Sequence, residues 1–142
     1  EKYEVYVGDF LISRANTPEL VGMVCFVDSS PKHLMLSDKT LRMELKKLHS
    51  KKYFFWQLQQ PHIRRQIEIG ATGTSSSMKN IGQSVIREFE VLIPSLEEQT
   101  IISKRLDVVQ EKTHALVEEK KKYQEIKKGL MQDLLTGKVR VV

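Results

Sequence analysis

The feature that most constrains this chain is a helix start near residue 95 with no stop signal for about 40 residues. In PSLEEQ, Ser95 can cap the first turn while Glu98, three residues on, reaches back to the Ser95 amide. This reciprocal pair, placed after Pro94, satisfies two N–H groups that a helix start leaves without partners. Thr136 and Gly137 mark the end, since glycine takes the left-handed conformation that terminates helices. At 1.5 Å per residue the helix would run about 60 Å. Along it Ile102, Leu106, Val109, Thr113, Leu116, Lys120, Tyr123, Lys127, Leu130 and Leu134 alternate steps of four and three, the spacing of a coiled-coil seam. Lys120 and Lys127 interrupt the stripe, pointing to register specification or local opening. A helix this long cannot bury its stripe on a small neighbouring domain, so the expectation is pairing with a second helix through Ile102, Leu106, Val109, Leu116, Tyr123, Leu130 and Leu134.

The first 94 residues read differently. Short β-rich runs at Tyr3–Val7, Phe10–Arg14, Leu20–Val27 and Thr40–Leu45 alternate with turn residues and predict strands. In KKYFFWQLQQPHIRRQIEI, between Lys51 and Ile69, apolar residues fall at helical spacing, with Pro61 placed to end one short helix and begin another. GATGTSSSMKN is too rich in small and hydroxyl residues for regular structure. A short amphipathic piece and an alternating strand, EFEVLI from Glu88 to Ile93, follow. The fold class is α+β: a small mixed domain over 1–94, one long coiled-coil helix over 95–136 and a strand-like tail over 137–142. Glu1 rather than Met opens the chain and strand-like sequence follows at once, so the domain is expected to continue upstream.

With 142 residues, 40% of them hydrophobic and 29% charged, one ordinary core is within reach. The longest apolar run, Leu20 to Val27, is far short of the roughly 20 residues that span a bilayer, and no leader pattern opens the chain. Lone Cys25 inside that run has no disulfide partner and reads as a small buried hydrophobe, in keeping with a reducing cytoplasm. The net charge is +5, unevenly spread: Arg42 to Arg87 holds nine Lys or Arg against Glu44 and Glu68, a local +7 that leaves −2 elsewhere. Such an excess is the footprint expected of a phosphate-binding surface, although mixed surfaces also carry local excesses by chance.

Two loops hold the candidate contacts. In SRANTPEL, Arg14 suits bidentate contact with guanine and Asn16 with adenine, and Thr17 sits beside them. Equally, this is a structural turn whose Arg14 pairs with an acid. In GATGTSSSMKN, the hydroxyls of Thr72, Thr74, Ser75 and Ser76, the Asn80 amide and the Lys79 charge can meet phosphates, or the segment is a plain connector. Arg64 and Arg65 point about 100° apart on a helix, so at most one faces DNA; Arg64 is the candidate, against the somewhat favoured alternative of a solvated helix face. Tyr53, Phe54, Phe55 and Trp56 form a base-stacking platform only if exposed, and four large apolar residues at a helix start more often fill a core. The four histidines share no spacing, no pair of Cys or His suits zinc, and no P-loop, GxGxxG or Asn-Pro-Pro-aromatic motif is present.

Three stretches in order resemble the specificity subunits of Type I restriction enzymes. VGDFLISRANTPELVGMVCFV matches the family's Gly-Asp, Ser-Arg and Val-Gly pattern at Gly8, Asp9, Ser13, Arg14, Val21 and Gly22. GATGTSSSMKNI is similar to its Gly- and Thr-rich segment. IPSLEEQTII, closing with KKGLMQDLLTGKVRV, looks like its long conserved helix, with Ser95 where a second proline is common. The resemblance implies part of one target-recognition domain plus the spacer helix, in a chain that is not an enzyme but a cytoplasmic subunit reading double-stranded DNA at a bipartite site. It implies docking to methyltransferase subunits and, through them, restriction subunits, with S-adenosylmethionine, ATP and Mg used only by those partners. It also implies antiparallel helix pairing with a second recognition domain or second copy. From other classes stand a structural coiled-coil adaptor without DNA binding and a fragment of a single-chain enzyme with catalytic motifs upstream.

Overall fold

The computed structural model describes residues 3–30, 32–73 and 77–141. It divides into two compact units, Glu1–Ser103 and Lys104–Val142. The first is α+β, and the long helix runs from its end into the second.

A three-stranded antiparallel sheet of order β3-β1-β4 is built from β1 (Phe10–Ser13), β3 (Val24–Phe26) and β4 (Thr40–Arg42). Its register pairs Leu11 with Cys25 and Arg42, and Ile12 with Val24 and Leu41. A second, two-stranded sheet joins β2 (Ala15–Asn16) to β5 (Lys79–Asn80). The helices α1 (Lys51–Gln57), α2 (Pro61–Gly70) and α3 (Gln83–Arg87) follow the sequence expectation, with Pro61 in the first turn of α2. Ser50 caps α1 by accepting from the Tyr53 amide.

Phe10 and Ile12, two apart on β1, enter one core with Tyr53, Phe54 and Leu58 from and after α1 and Ile63 and Ile67 of α2. Phe26 stacks on Phe10 with ring centroids 4.8 Å apart and leans on Phe55 at 5.3 Å. The aromatic run therefore feeds the core through buried Tyr53 and Phe54 and partly buried Phe55, while Trp56 is half-buried. Each such side chain contributes on the order of 2 kcal/mol by leaving water.

Several strand expectations shrink. Tyr3–Val7 makes a single bridge, Glu4 to Met35, before Tyr6 and Asp9 close a tight turn. Leu20 to Gly22 turns rather than extends, leaving only Val24–Phe26 of that run as strand. Cys25 is exposed, because strand alternation sends Val24 inward and Cys25 out. Glu88–Ile93 is not a strand. Its alternation is real, with Phe89 and Val91 packed against the core, but no strand pairs with it among the described residues. Side chains hold it instead: the Gln66 amide donates to the Glu90 carbonyl at 3.1 Å and accepts from the Glu90 N–H at 2.9 Å, and the Tyr53 hydroxyl donates to the Leu92 carbonyl at 3.0 Å.

The long helix α4 spans Leu96–Leu135. The Ser95–Glu98 pair forms as expected: the Glu98 carboxylate accepts from the Ser95 amide at 3.0 Å, and Ser95 Oγ accepts from the Glu98 N–H at 3.3 Å. Two helix residues are buried, Gln99 and Ser103. Gln99 accepts from the Ser50 N–H and donates to the Pro94 carbonyl, both at 2.9 Å, and so ties the helix start to the cap of α1. Gly137 ends the helix with φ 71°, and the tail over 137–141 folds back through Val139 N–H to the Asp133 carbonyl at 3.0 Å.

Candidate nucleic-acid interface

The small β2–β5 sheet brings the two candidate loops together across more than 60 positions of sequence. Ala15 pairs with Asn80 and Asn16 with Lys79. The Ile81 N–H donates to the Arg14 carbonyl at 2.8 Å, and Thr72 exchanges two backbone bonds with Asn80, each 2.8 Å. Arg14, Asn16, Thr72, Lys79 and Asn80 thus share one backbone ladder. A third segment joins them: the Lys39 carbonyl accepts from the Arg14 N–H at 2.8 Å. Lys39 is exposed beside this ladder and was not a candidate, because only the meeting of three loops brings it there.

Among the described residues, the Arg14 guanidinium makes no hydrogen bond, and the residue is half-buried with its polar end uncommitted. The alternative of an Arg14 ion pair therefore finds no acid among them. Asn16 Oδ1 accepts from the Thr17 N–H at 2.9 Å, which orients the amide and leaves Nδ2 as a donor with no hydrogen bond among the described residues. Thr17 is a turn residue: its carbonyl accepts from the Leu20 and Val21 amides at 3.0 and 2.9 Å. Lys79 Nζ donates to the Gly73 carbonyl at 2.7 Å, and the Thr72 hydroxyl lies 3.4 Å from the Asn80 carbonyl. Thr74, Ser75 and Ser76 lie outside the described residues.

Two of the nine basic side chains in the +7 stretch are spent inside the fold. Arg42 pairs with Asp9 at 2.9 Å, donates to the Glu4 carbonyl and stands over the Tyr6 ring at 5.9 Å. Arg64 donates to the carbonyls of Val21 at 2.5 Å and Pro18 at 2.9 Å, while neighbouring Arg65 is exposed. Lys46, Lys47 and Lys51 remain exposed and Lys79 half-exposed as outward charge.

Along α4, Ile102 at the end of the first unit and Leu106, Val109, Leu116, Tyr123, Leu130 and Leu134 in the second are all exposed. Among the described residues, no helix is long and apolar enough to cross a membrane, and no three His, Cys, Asp or Glu side chains could hold a metal ion.

The family model of the type I restriction modification DNA specificity domain matches residues 1–128. The chain belongs to this family. It is 33% identical over 94 residues to the type I restriction enzyme EcoEI specificity subunit of Escherichia coli, covering 66% of this chain and 16% of that protein. It is 24% identical over 135 residues to a protein of Methanocaldococcus jannaschii assigned as the type I restriction enzyme MjaX specificity subunit, covering 95% of this chain and 32% of that one. The chain thus spans about a third or less of the relatives it matches. The family is one of DNA specificity rather than catalysis, and the residues that carry the resemblance have structural reasons here. Asp9 holds Arg42 and the Tyr6 amide, Ser13 Oγ donates to the Leu20 carbonyl at 2.7 Å, and Val21 is buried. Gly22 sits at φ 77°, where an added Cβ would lie 2.5 Å from Ile67 Cδ1. Arg14, in the same pattern, has a guanidinium with no hydrogen bond among the described residues.

Proposed function

We propose that this chain reads double-stranded DNA as the recognition part of a type I restriction-modification specificity subunit. The observation that carries the reading is the β2–β5 ladder, where an uncommitted guanidinium, an oriented amide and a lysine from two distant loops converge on one edge. Arg14 and Asn16 are the base-reading pair, suited to guanine and adenine edges in the major groove. Lys79, Thr72 and Asn80, with the hydroxyl run Thr74 to Ser76, serve the backbone, where charge and small donors position without reading sequence. In this reading Arg14 works on bases and Lys79 on phosphates.

The exposed seam of α4 then pairs antiparallel with an equivalent helix, from a second recognition domain or a second copy, and sets the spacing of a bipartite site. Methyltransferase subunits dock on the assembly and restriction subunits join through them. S-adenosylmethionine, ATP and Mg belong to those partners, and the work is cytoplasmic.

The test is binding of randomised duplexes by the chain assembled with methyltransferase subunits. Arg14→Ala should cost roughly 1 to 3 kcal/mol at one base position and relax preference there, whereas Lys79→Ala should weaken all sequences alike and lower the salt slope by about one unit. If neither change altered affinity, the ladder would not be the DNA face and the coiled-coil adaptor reading would take its place.

A further inference from the structure

The geometry points to Arg64 as a positioning residue for sequence recognition, a side chain that touches no DNA but holds the turn from Thr17 to Gly22 and thereby aims Arg14 and Asn16. This rests on the base-reading role given above to those two residues.

The turn is short, and its own amides meet only some of its carbonyls. Thr17 takes the Leu20 and Val21 N–H groups, which leaves the Pro18 and Val21 carbonyls to find donors elsewhere. Arg64 supplies both, Nη2 at 2.9 Å to Pro18 and Nη1 at 2.5 Å to Val21. A planar guanidinium fixes distance and orientation together, which a lysine ammonium cannot do. The same face of α2 presses on the turn a second time, with fully buried Ile67 beneath Gly22, where no Cβ fits. Arg64 and Ile67 are three apart, so one helix face grips both the carbonyls and the glycine.

The turn is also stitched to the base of the reading loop. Ser13 Oγ donates to the Leu20 carbonyl at 2.7 Å, and the Gly22 N–H donates to the Ser13 carbonyl at 2.7 Å. Ser13 immediately precedes Arg14, and Asn16 accepts from the Thr17 amide on the other side. A shift of Pro18 or Val21 is therefore passed to Arg14 and Asn16 through Ser13 and Thr17. The Glu19 carboxyl in the same turn is held below its ordinary value, first by its own backbone N–H, then by the Thr17 hydroxyl and by the Arg64 charge. An arginine with both terminal nitrogens on carbonyls and an acid close by has little left to offer a phosphate.

Arg64→Lys and Arg64→Gln, assembled as the natural complex, decide the matter by selection on randomised duplexes and by binding at several salt concentrations. As a positioning residue Arg64 gives the same result for both variants: about a tenfold loss of discrimination at the positions read by Arg14 and Asn16, with the salt slope unchanged. As a phosphate contact it would give a lysine variant like wild type and a glutamine variant with a slope lower by about 0.9, base preference intact in both; that result overturns the proposal. Should either variant fail to melt cooperatively, Ser13→Ala loosens the same turn without removing charge, and an unchanged base preference there overturns it equally. A wild-type assembly selecting no sequence at all would instead sink the base-reading role of Arg14 and Asn16, and the inference with it.

Discussion

The two units of this chain treat apolar side chains in opposite ways. Within Glu1–Ser103, Phe10, Ile12, Ile63, Ile67 and Ile81 are sealed from solvent, and stray backbone groups find side-chain partners, as Glu90 does with Gln66. Within Lys104–Val142, a stripe with the same kinds of residue lies open along its length, Leu116 at 65% and Leu130 at 54% exposure. The difference teaches where each unit gets its stability. The first carries its own core. The second is one helix, whose backbone satisfies itself but whose apolar face does not, and most helical stability in proteins comes from packing such a face.

The sharpest way to break this contrast is to charge the open stripe. Leu106→Asp with Leu116→Asp should abolish self-association or pairing with a second helix, because a carboxylate in an apolar seam has nothing to pair with. Sedimentation across a concentration series reads this directly. A wild-type chain that stays monomeric at high concentration, alone and with its partners, would show the stripe to be idle. The first unit should be indifferent to the double change, its own unfolding transition staying where it was.

Next in size is the reverse experiment. Ile63 is fully buried, so Ile63→Ala should lower the stability of the first unit by about 2 to 5 kcal/mol in denaturant unfolding, through lost transfer energy and the cavity left behind. Leu130→Ala in the monomeric chain should change unfolding by less than about 0.5 kcal/mol. Equal costs at the two positions would mean that the stripe is already covered.

The smallest effect lies at the start of α4. Ser95→Ala should cost about 1 kcal/mol by removing the helix cap. The Glu98 carboxyl is held below its ordinary value of 4.5 by the Ser95 hydroxyl and then the Ser95 amide. A depressed carboxylate stabilises above its ordinary value and loses that contribution as pH falls through the lowered one. The first turn of α4 should therefore fray on acidification below about pH 4.5, seen as faster amide exchange, and Glu98→Gln should flatten this dependence. A cap whose exchange ignored pH in the wild type would remove Glu98 from the account.

What could be read from the chain alone was whatever depends on near neighbours in sequence. The capped start and glycine stop of α4, the seam spacing, the two helices divided by Pro61 and the core role of Tyr53 and Phe54 all follow from periodicity and caps that act over a few residues. The family resemblance was legible as residue spacing, although the structure gives Asp9 and Gly22 distant partners in Arg42 and Ile67. Alternation in EFEVLI was also legible, but it reports which side chains face the core and not whether a strand lies alongside. Pairing, and with it the extent of Tyr3–Val7 and Leu20–Val27 as strands, depends on residues far away.

The destination of the charged side chains was decided only by the tertiary structure. Arg14, Arg42 and Arg64 are alike as sequence, each in a basic or polar stretch, yet one finds no guanidinium partner among the described residues, one neutralises Asp9 and one holds two carbonyls. An arginine goes where acceptors lack partners, and those acceptors, Pro18 and Val21 for Arg64, are 43 or more positions away along the chain. Caps and periodicity are short-range and written in order; the satisfaction of buried polar groups is a property of the closed fold.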